Sequence, residues 1–174
     1  PMIYLDNNAT TRPLPAVVAA MHEALTQSWA NPSSKHGAGE QARGRVTEAR
    51  AAVARLLGAQ PAELVFTASA TEANAMALHA ALAVPGAPRR LVLSAIEHSG
   101  LVQVAKALAG QGVEILRLPV DAHGVVRCEA LPALLEGGAA LVSVMAASNE
   151  TGALQPVDEV VRLATAAGVP VHVD

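Results

Sequence analysis

The pattern of apolar and polar positions changes character near residue 60. Before it, apolar side chains recur at helical spacing: Leu14, Val17, Val18, Met21 and Leu25 form one series, with Pro13 and Pro15 at its start. A second series, Val46, Ala49, Val53, Leu56 and Leu57, predicts a helix that Gly58 stops. Between the two, Asn31-Pro32-Ser33-Ser34-Lys35-His36-Gly37 is loop chemistry throughout. Ahead of both, Ile3-Tyr4-Leu5 runs into the polar turn cluster Asp6-Asn7-Asn8.

After residue 60, short apolar runs alternate with helical patterns. Residues 64–67, 91–94, 113–118, 141–145 and 171–173 read as strands. Helices are predicted over 70–82, over a stretch whose face is Leu101, Val104, Ala105 and Leu108, and over 157–167 up to Gly168. The third strand is followed by the turn Asp121-Ala122-His123-Gly124 and a short helix closed by Gly137-Gly138. Strands separated by helices imply right-handed crossovers and a mainly parallel sheet covered on both faces. The fold class is α/β, in three αβα layers.

Composition narrows the function. With 52% apolar residues, 16% charged and a net charge of -3, the chain is neither disordered nor suited to nucleic acid through a global positive field. The sequence has 38 alanines but one Phe, one Trp and one Tyr, so the core must be built from Ala, Val and Leu. No apolar run reaches the roughly 18 residues that a bilayer requires, and no basic stretch leads into an apolar block as in a signal peptide. One cysteine, Cys128, makes no internal disulfide, and a cytoplasmic setting is the default expectation. Length allows one domain of ordinary size. The final run Pro170-Val171-His172-Val173-Asp174 reads as an apolar strand with nothing after it, as expected of a piece of a longer protein. The alternative is a small protein whose last strand lies at a sheet edge.

In open α/β sheets ligands bind beyond the carboxyl ends of the strands, so the residues there carry the candidate chemistry. After the first predicted strand, Ser69 and Glu72 have the spacing of a capping box, and the helix start at Ala70 and Thr71 would offer amides and hydroxyls to an anion. An ordinary capped helix explains them equally. His98 follows the second strand, Asn149 the fourth and Asp174 the fifth; a surface histidine, a simple turn and a helix cap are the plain alternatives. Neither phosphate-binding glycine motif is present, and no metal site is expected. Together an anion site, an imidazole, an amide and a carboxylate would suit a phosphate-bearing heterocycle with a protonated ring nitrogen, such as pyridoxal phosphate.

Several motifs resemble one family. Tyr4-Leu5-Asp6-Asn7-Asn8-Ala9-Thr10-Thr11, then Asn31-Pro32-Ser33-Ser34 with His36, Gly39 and Ala42, then Phe66-Thr67-Ala68-Ser69-Ala70-Thr71-Glu72 with Asn74, are similar to motifs of cysteine desulfurases of the NifS/IscS type. Glu97-His98, Asn149-Glu150-Thr151-Gly152 and His172-Val173-Asp174 match the same family in order and spacing. One departure is Ser69, where the family has glycine. The resemblance implies a class V aminotransferase of fold type I, with pyridoxal 5'-phosphate as cofactor and L-cysteine as substrate. Ala70 and Thr71 would hold the phosphate, His98 would stack on the ring and is a candidate for moving protons, Asn149 would contact the ring hydroxyl, and Asp174 would pair with the ring nitrogen. It further implies residues 1–12 placed with a small domain, residues 13–174 as the first part of the large domain, and a cytoplasmic homodimer. A sulfur acceptor or iron-sulfur scaffold protein would be its partner.

The family's Schiff-base lysine and persulfide cysteine lie beyond its H-V-D motif. Neither Lys35 nor Lys106 stands at the lysine position, and Cys128 does not stand at the catalytic cysteine's, so these residues are expected to require the remainder of the protein. A selenocysteine lyase or another class V enzyme is the nearest alternative. A non-catalytic fragment or binding module is the alternative from a different class.

Overall fold

Backbone groups in a dry apolar run must be satisfied by a ladder, and four of the five predicted strands find one. The computed structural model describes residues 3–7 and 9–174, so Asn8 of the polar cluster, with Pro1 and Met2, lies outside the described residues. The chain divides into two units, residues 1–66 and 67–174.

The second unit holds strands β1 (Arg90–Ser94), β2 (Glu114–Leu118), β3 (Leu141–Val144) and β4 (Val171–Val173). All pair in parallel, in the order β2-β1-β3-β4. Leu91 faces Leu141 and Val92 faces Val142 across the central pair, and Ser143 faces His172 on the outer one. Alternation sends Leu91 and Leu93 to one face, where they pack with Leu141, Leu78 of α3 (Ala70–Ala83) and Leu101, Ala105 and Leu108 of α4 (Ser99–Ala109). Val92, Val142 and Val144 go to the other face, against Leu131 and Leu135 of α5 (Leu131–Leu135) and Val160 and Ala164 of α6 (Val157–Ala166). This is the expected three-layer arrangement. Burial on both sides holds for β1 and β3; the outer strands are partly open, with Glu114 and Val173 exposed.

The connections decide where a crevice forms. From β1 the chain passes through α4 to β2 on one side, then returns through α5 past β1 to β3 on the other. It changes face as it reverses direction, which preserves a single crossover hand. The loops leaving β1 and β3 therefore diverge to opposite faces.

The first unit holds α1 (Pro15–Gln27) and α2 (Gly37–Leu57). Helix α1 starts with proline as its pattern predicts, but none of its residues is buried, and Leu14, Val17, Val18, Met21 and Leu25 are all exposed. Between α1 and α2 runs a groove lined by Ala20, Glu23, Ala24, Arg45, Ala49 and Ala52, with Arg45 paired to Glu23. Helix α2 ends at Gly58 in a left-handed cap (φ 66°), with the Ala59 amide bonded to the Ala54 carbonyl. Its buried residues are Gly39, Ala42 and Ala54 rather than the predicted Val46, Ala49, Leu56 and Leu57, which are exposed. The small residues are the ones other backbone can approach closely, so they mark the packed side.

Residues 64–67 do not form the predicted strand. Among the described residues no ladder partner lies beside them; instead the Arg50 guanidinium donates to the Leu64 carbonyl and sits 4.9 Å from the Phe66 ring centre. The local β propensity was real, but a strand needs a neighbour and propensity supplies none.

The loop 31–36 folds back on the first turn of α2. The Asn31 carboxamide oxygen accepts from the Ser33 amide at 2.8 Å, and His36 caps the helix by accepting from the Gly39 amide at 3.3 Å. A Cβ on Gly39 would stand 2.4 Å from the Ser34 carbonyl oxygen and 2.9 Å from that of Asn31, so only glycine fits. Gly39→Ala should destabilise the protein by roughly 1–3 kcal/mol through overpacking. Gly44 in the same helix has nothing within 4 Å of such a Cβ, and Gly44→Ala should instead stabilise by roughly 0.5–1 kcal/mol. Denaturant unfolding of both variants checks the pair; equal shifts would refute the close-approach account.

Candidate active site

The chemistry starts at the N-terminus of α3. Ser69 adopts an extended backbone (φ -161°, ψ 162°) and its hydroxyl accepts from the Glu72 amide at 3.2 Å. The predicted box closes differently: the Glu72 carboxylate accepts from the Ala68 amide at 2.6 Å, one residue earlier than the reciprocal pattern. That leaves the amides of Ala70 and Thr71 at the helix start, where anions are favoured.

Helix α4 brings its own start to the same place. His98 is its N-cap, with Nδ1 accepting from the Gly100 amide at 3.1 Å. A Cβ on Gly100 would lie 3.0 Å from Thr71 Oγ1 and 3.2 Å from His98 Nδ1. The missing methyl group thus allows the first turns of α3 and α4 to meet and sets Thr71 beside His98.

At the reversal point between β1 and β3 lies a cavity of about 250 Å³, lined by Glu97 and His98 on one side and Ser148, Asn149, Glu150 and Thr151 on the other. The second wall is a tight turn: Ser148 Oγ accepts from the amides of Glu150 and Thr151 at 3.3 and 3.2 Å. His98 and Asn149, 51 positions apart in sequence, therefore share one crevice, as expected for the carboxyl ends of strands where the topology switches.

Asp174 stands at the end of β4. Its backbone bonds to both neighbours, the amide to the Val144 carbonyl (3.2 Å) and the carbonyl to the Ala146 amide (2.8 Å). Its Oδ2 accepts from Nδ2 of Asn74, a buried residue of α3, at 2.8 Å.

Three further polar groups are part of this edge and carried no role in the sequence reading. Glu97 is only 7% exposed; its Oε1 accepts from the Ser94 hydroxyl at 2.9 Å, and Oε2 has no hydrogen-bond partner among the described residues. Burial pushes its carboxyl above the usual range, the Ser94 hydroxyl opposes this, and the negative charge of Asp174 adds to it. His172 lies with Nδ1 3.0 Å from the Ser143 hydroxyl oxygen. Burial pushes the imidazole below its ordinary value, against the pull of Asp174. A sequence signal for Asn74 did exist: it occupies the helix position one turn before the core residue Leu78, where an apolar side chain is the default.

The arrangement is an anion-favouring helix start, an imidazole and an amide on one cavity, and a carboxylate at the neighbouring strand end. The class-V aminotransferase family model matches residues 3–174. The chain belongs to that family. It is 43% identical over 173 residues to a protein named cysteine desulfurase 2 from Trichormus variabilis, covering 99% of this chain and 44% of the relative. Among solved structures it is similar to a NifS-like protein (TM-score 0.94, 37% identity, 99% of this chain and 48% of that one). It is also similar to one described as SspA in complex with cysteine (TM-score 0.92, 29% identity, 98% and 50%). The chain thus spans about half the length of the relatives it matches or less. Among the described residues no helix is long and apolar enough to cross a membrane.

The raised carboxyl of Glu97 predicts a pH signature. A carboxyl whose folded value lies above its unfolded 4.5 contributes stability that is full below pH 4.5 and is lost as pH rises through the folded value. Glu97→Gln keeps the neutral shape, so its melting temperature should fall less than wild type's between pH 4.5 and pH 8. Parallel curves would show that Glu97 ionises without cost.

Proposed function

We propose that this chain is part of a pyridoxal-phosphate-dependent cysteine desulfurase that takes sulfur from L-cysteine and leaves L-alanine. The observation that carries the reading is the convergence of Thr71, His98, Asn149 and Asp174 on one sheet edge, in a chain 43% identical to a cysteine desulfurase. Cysteine in the related SspA complex supports the substrate.

The residues present fit the cofactor. The Ala70 and Thr71 amides and the Thr71 hydroxyl suit its phosphate, which needs donors rather than a cation alone. Asn149 suits the ring hydroxyl. The Asp174 carboxylate, with one oxygen held by Asn74, suits a protonated ring nitrogen. Bound there, the cofactor supplies an electron sink for negative charge at the substrate α-carbon. Asp174 contributes by keeping the proton on the ring nitrogen. His98, because Nδ1 accepts from Gly100, carries the proton of its neutral ring on Nε2 and exchanges it from that atom. The Ser148 turn closes the far wall and limits water. The domain reading follows: residues 13–174 form the first part of the large domain and residues 1–12 join the small one. A cytoplasmic homodimer that hands sulfur to an acceptor or iron-sulfur scaffold protein completes the proposal.

Cys128 has no part in it. It packs partly buried against the α5–α6 core, and burial pushes its thiol up, with Glu159 and Glu129 adding to the effect.

The decisive experiment uses a protein of the family's full length with pyridoxal phosphate and a dithiol reductant, which supplies the two electrons that free the transferred sulfur as sulfide, and measures sulfide and alanine formed from L-cysteine. Stoichiometric release is expected; cofactor binding without release, or turnover of selenocysteine alone, would overturn the substrate assignment. In the same assay Cys128→Ala should match wild type. Asp174→Ala should lose both cofactor affinity and turnover, whereas His98→Ala should keep more cofactor and slow by roughly 10²–10⁴-fold. Near-normal turnover of Asp174→Ala would remove the ring-nitrogen role.

A further inference from the structure

The carboxyl edge of the sheet carries two acidic side chains that feel one another, Asp174 at the strand end and the buried Glu97. Asp174 alone of the two is held by a side-chain amide. Asn74 Nδ2 lies 2.8 Å from Asp174 Oδ2, across 100 residues of sequence. Asn74 is itself buried at 4% exposure, on the α3 face that also carries Leu78 to the core. An amide in such a place costs stability unless its hydrogen bond is made, so its presence calls for a reason beyond packing.

We infer that Asn74 is a positioning residue for the cofactor's ring nitrogen: it fixes Asp174 by one oxygen and leaves the other aimed at the ring. The inference rests on the reading of Asp174 as the partner of that nitrogen. Two physical points carry it. An aspartate at a strand end can rotate about two side-chain bonds, so without a donor its carboxylate would spread over several orientations. The donor is also neutral. A lysine or arginine at position 74 would orient the carboxylate equally well, but it would cancel the charge that has to act on the ring. An amide orients without neutralising. The same helix begins at Ala70 and Thr71, so a single turn of α3 sets both the phosphate end and the nitrogen end of the site.

The test compares two probes that need no covalent link to the protein: 4'-deoxypyridoxine 5'-phosphate, and its carbocyclic counterpart with C–H in place of the ring nitrogen. The ratio of their affinities reads the nitrogen contact alone, because losses from loosened structure weaken both probes together. In a protein of the family's full length, wild type should prefer the pyridine probe, and Asn74→Leu should lose about tenfold of that preference, the size expected of a hydrogen bond to a charged group. Asn74→Ala provides the same comparison should the leucine variant fail to fold. An unchanged ratio in the Asn74 variants, with the ratio lost in Asp174→Ala, would make Asn74 merely structural and overturn the inference. A ratio that survives Asp174→Ala, or is absent in wild type, would instead overturn the ring-nitrogen reading beneath it, and the inference with it.

Discussion

The pairing of β1 with β3 is the constraint on which the rest of the second unit depends. Leu91, Val92 and Leu93 meet Leu141, Val142 and Ser143 in register, and every one of the six is buried. Neither strand has an exposed face on which to place polar side chains, so polar chemistry can appear only where the strands end. Because the chain leaves β1 toward one face and β3 toward the other, no crossover covers the gap between them. Water or a ligand must satisfy the groups that line it. The crevice between His98 and Asn149 follows from connectivity, before any functional residue is chosen.

Along the same edge of the sheet, burial distinguishes the titratable groups. Glu97 and His172 lie deep enough that desolvation pushes each toward its neutral form, the carboxyl upward and the imidazole downward. Each has a hydroxyl partner, Ser94 and Ser143. Asp174 is exposed and takes an amide. The three titratable side chains of this edge therefore meet different surroundings, two of them desolvated and one held by an amide at the strand end.

The fold was legible in the sequence wherever a pattern and its partner lie in the same stretch. Strands β1 to β4 and helices α3 and α6 match their predicted spans within about two residues at each end, and α4 buries Leu101, Ala105 and Leu108 of its predicted face, because alternation and helical spacing already encode the two faces of one core. Residues 64–67 have no ladder partner among the described residues, and strand formation depends on a partner that local propensity does not reveal. The predicted faces of α1 and α2 failed for a related reason. Hydrophobic spacing identifies a stripe, but burial follows close approach, and in α2 close approach is made at Gly39, Ala42 and Ala54. In the site, His98, Asn149 and Asp174 could be found from their places after strands. Asn74 and Glu97 could not be given roles, since those depend on an acceptor 100 residues away and on a burial depth that no sequence window contains.

Ser69 shows how a departure from the family pattern can leave a site intact. The glycine it replaces would matter if the backbone there were left-handed, but φ is -161°, extended and open to any residue. Serine then adds something glycine lacks. Its hydroxyl takes the Glu72 amide, while the Glu72 carboxylate takes the Ala68 amide. These two bonds occupy the amides of Ala68, just before the cap, and of Glu72, leaving those of Ala70 and Thr71 among the donors at the start of α3. What is left for an anion is narrower than a bare helix start: two adjacent amides and the Thr71 hydroxyl, set against His98 by the absence of a side chain on Gly100. A substitution that looks like a loss of flexibility therefore sharpens the site, by spending the surplus donors on the protein's own side chains.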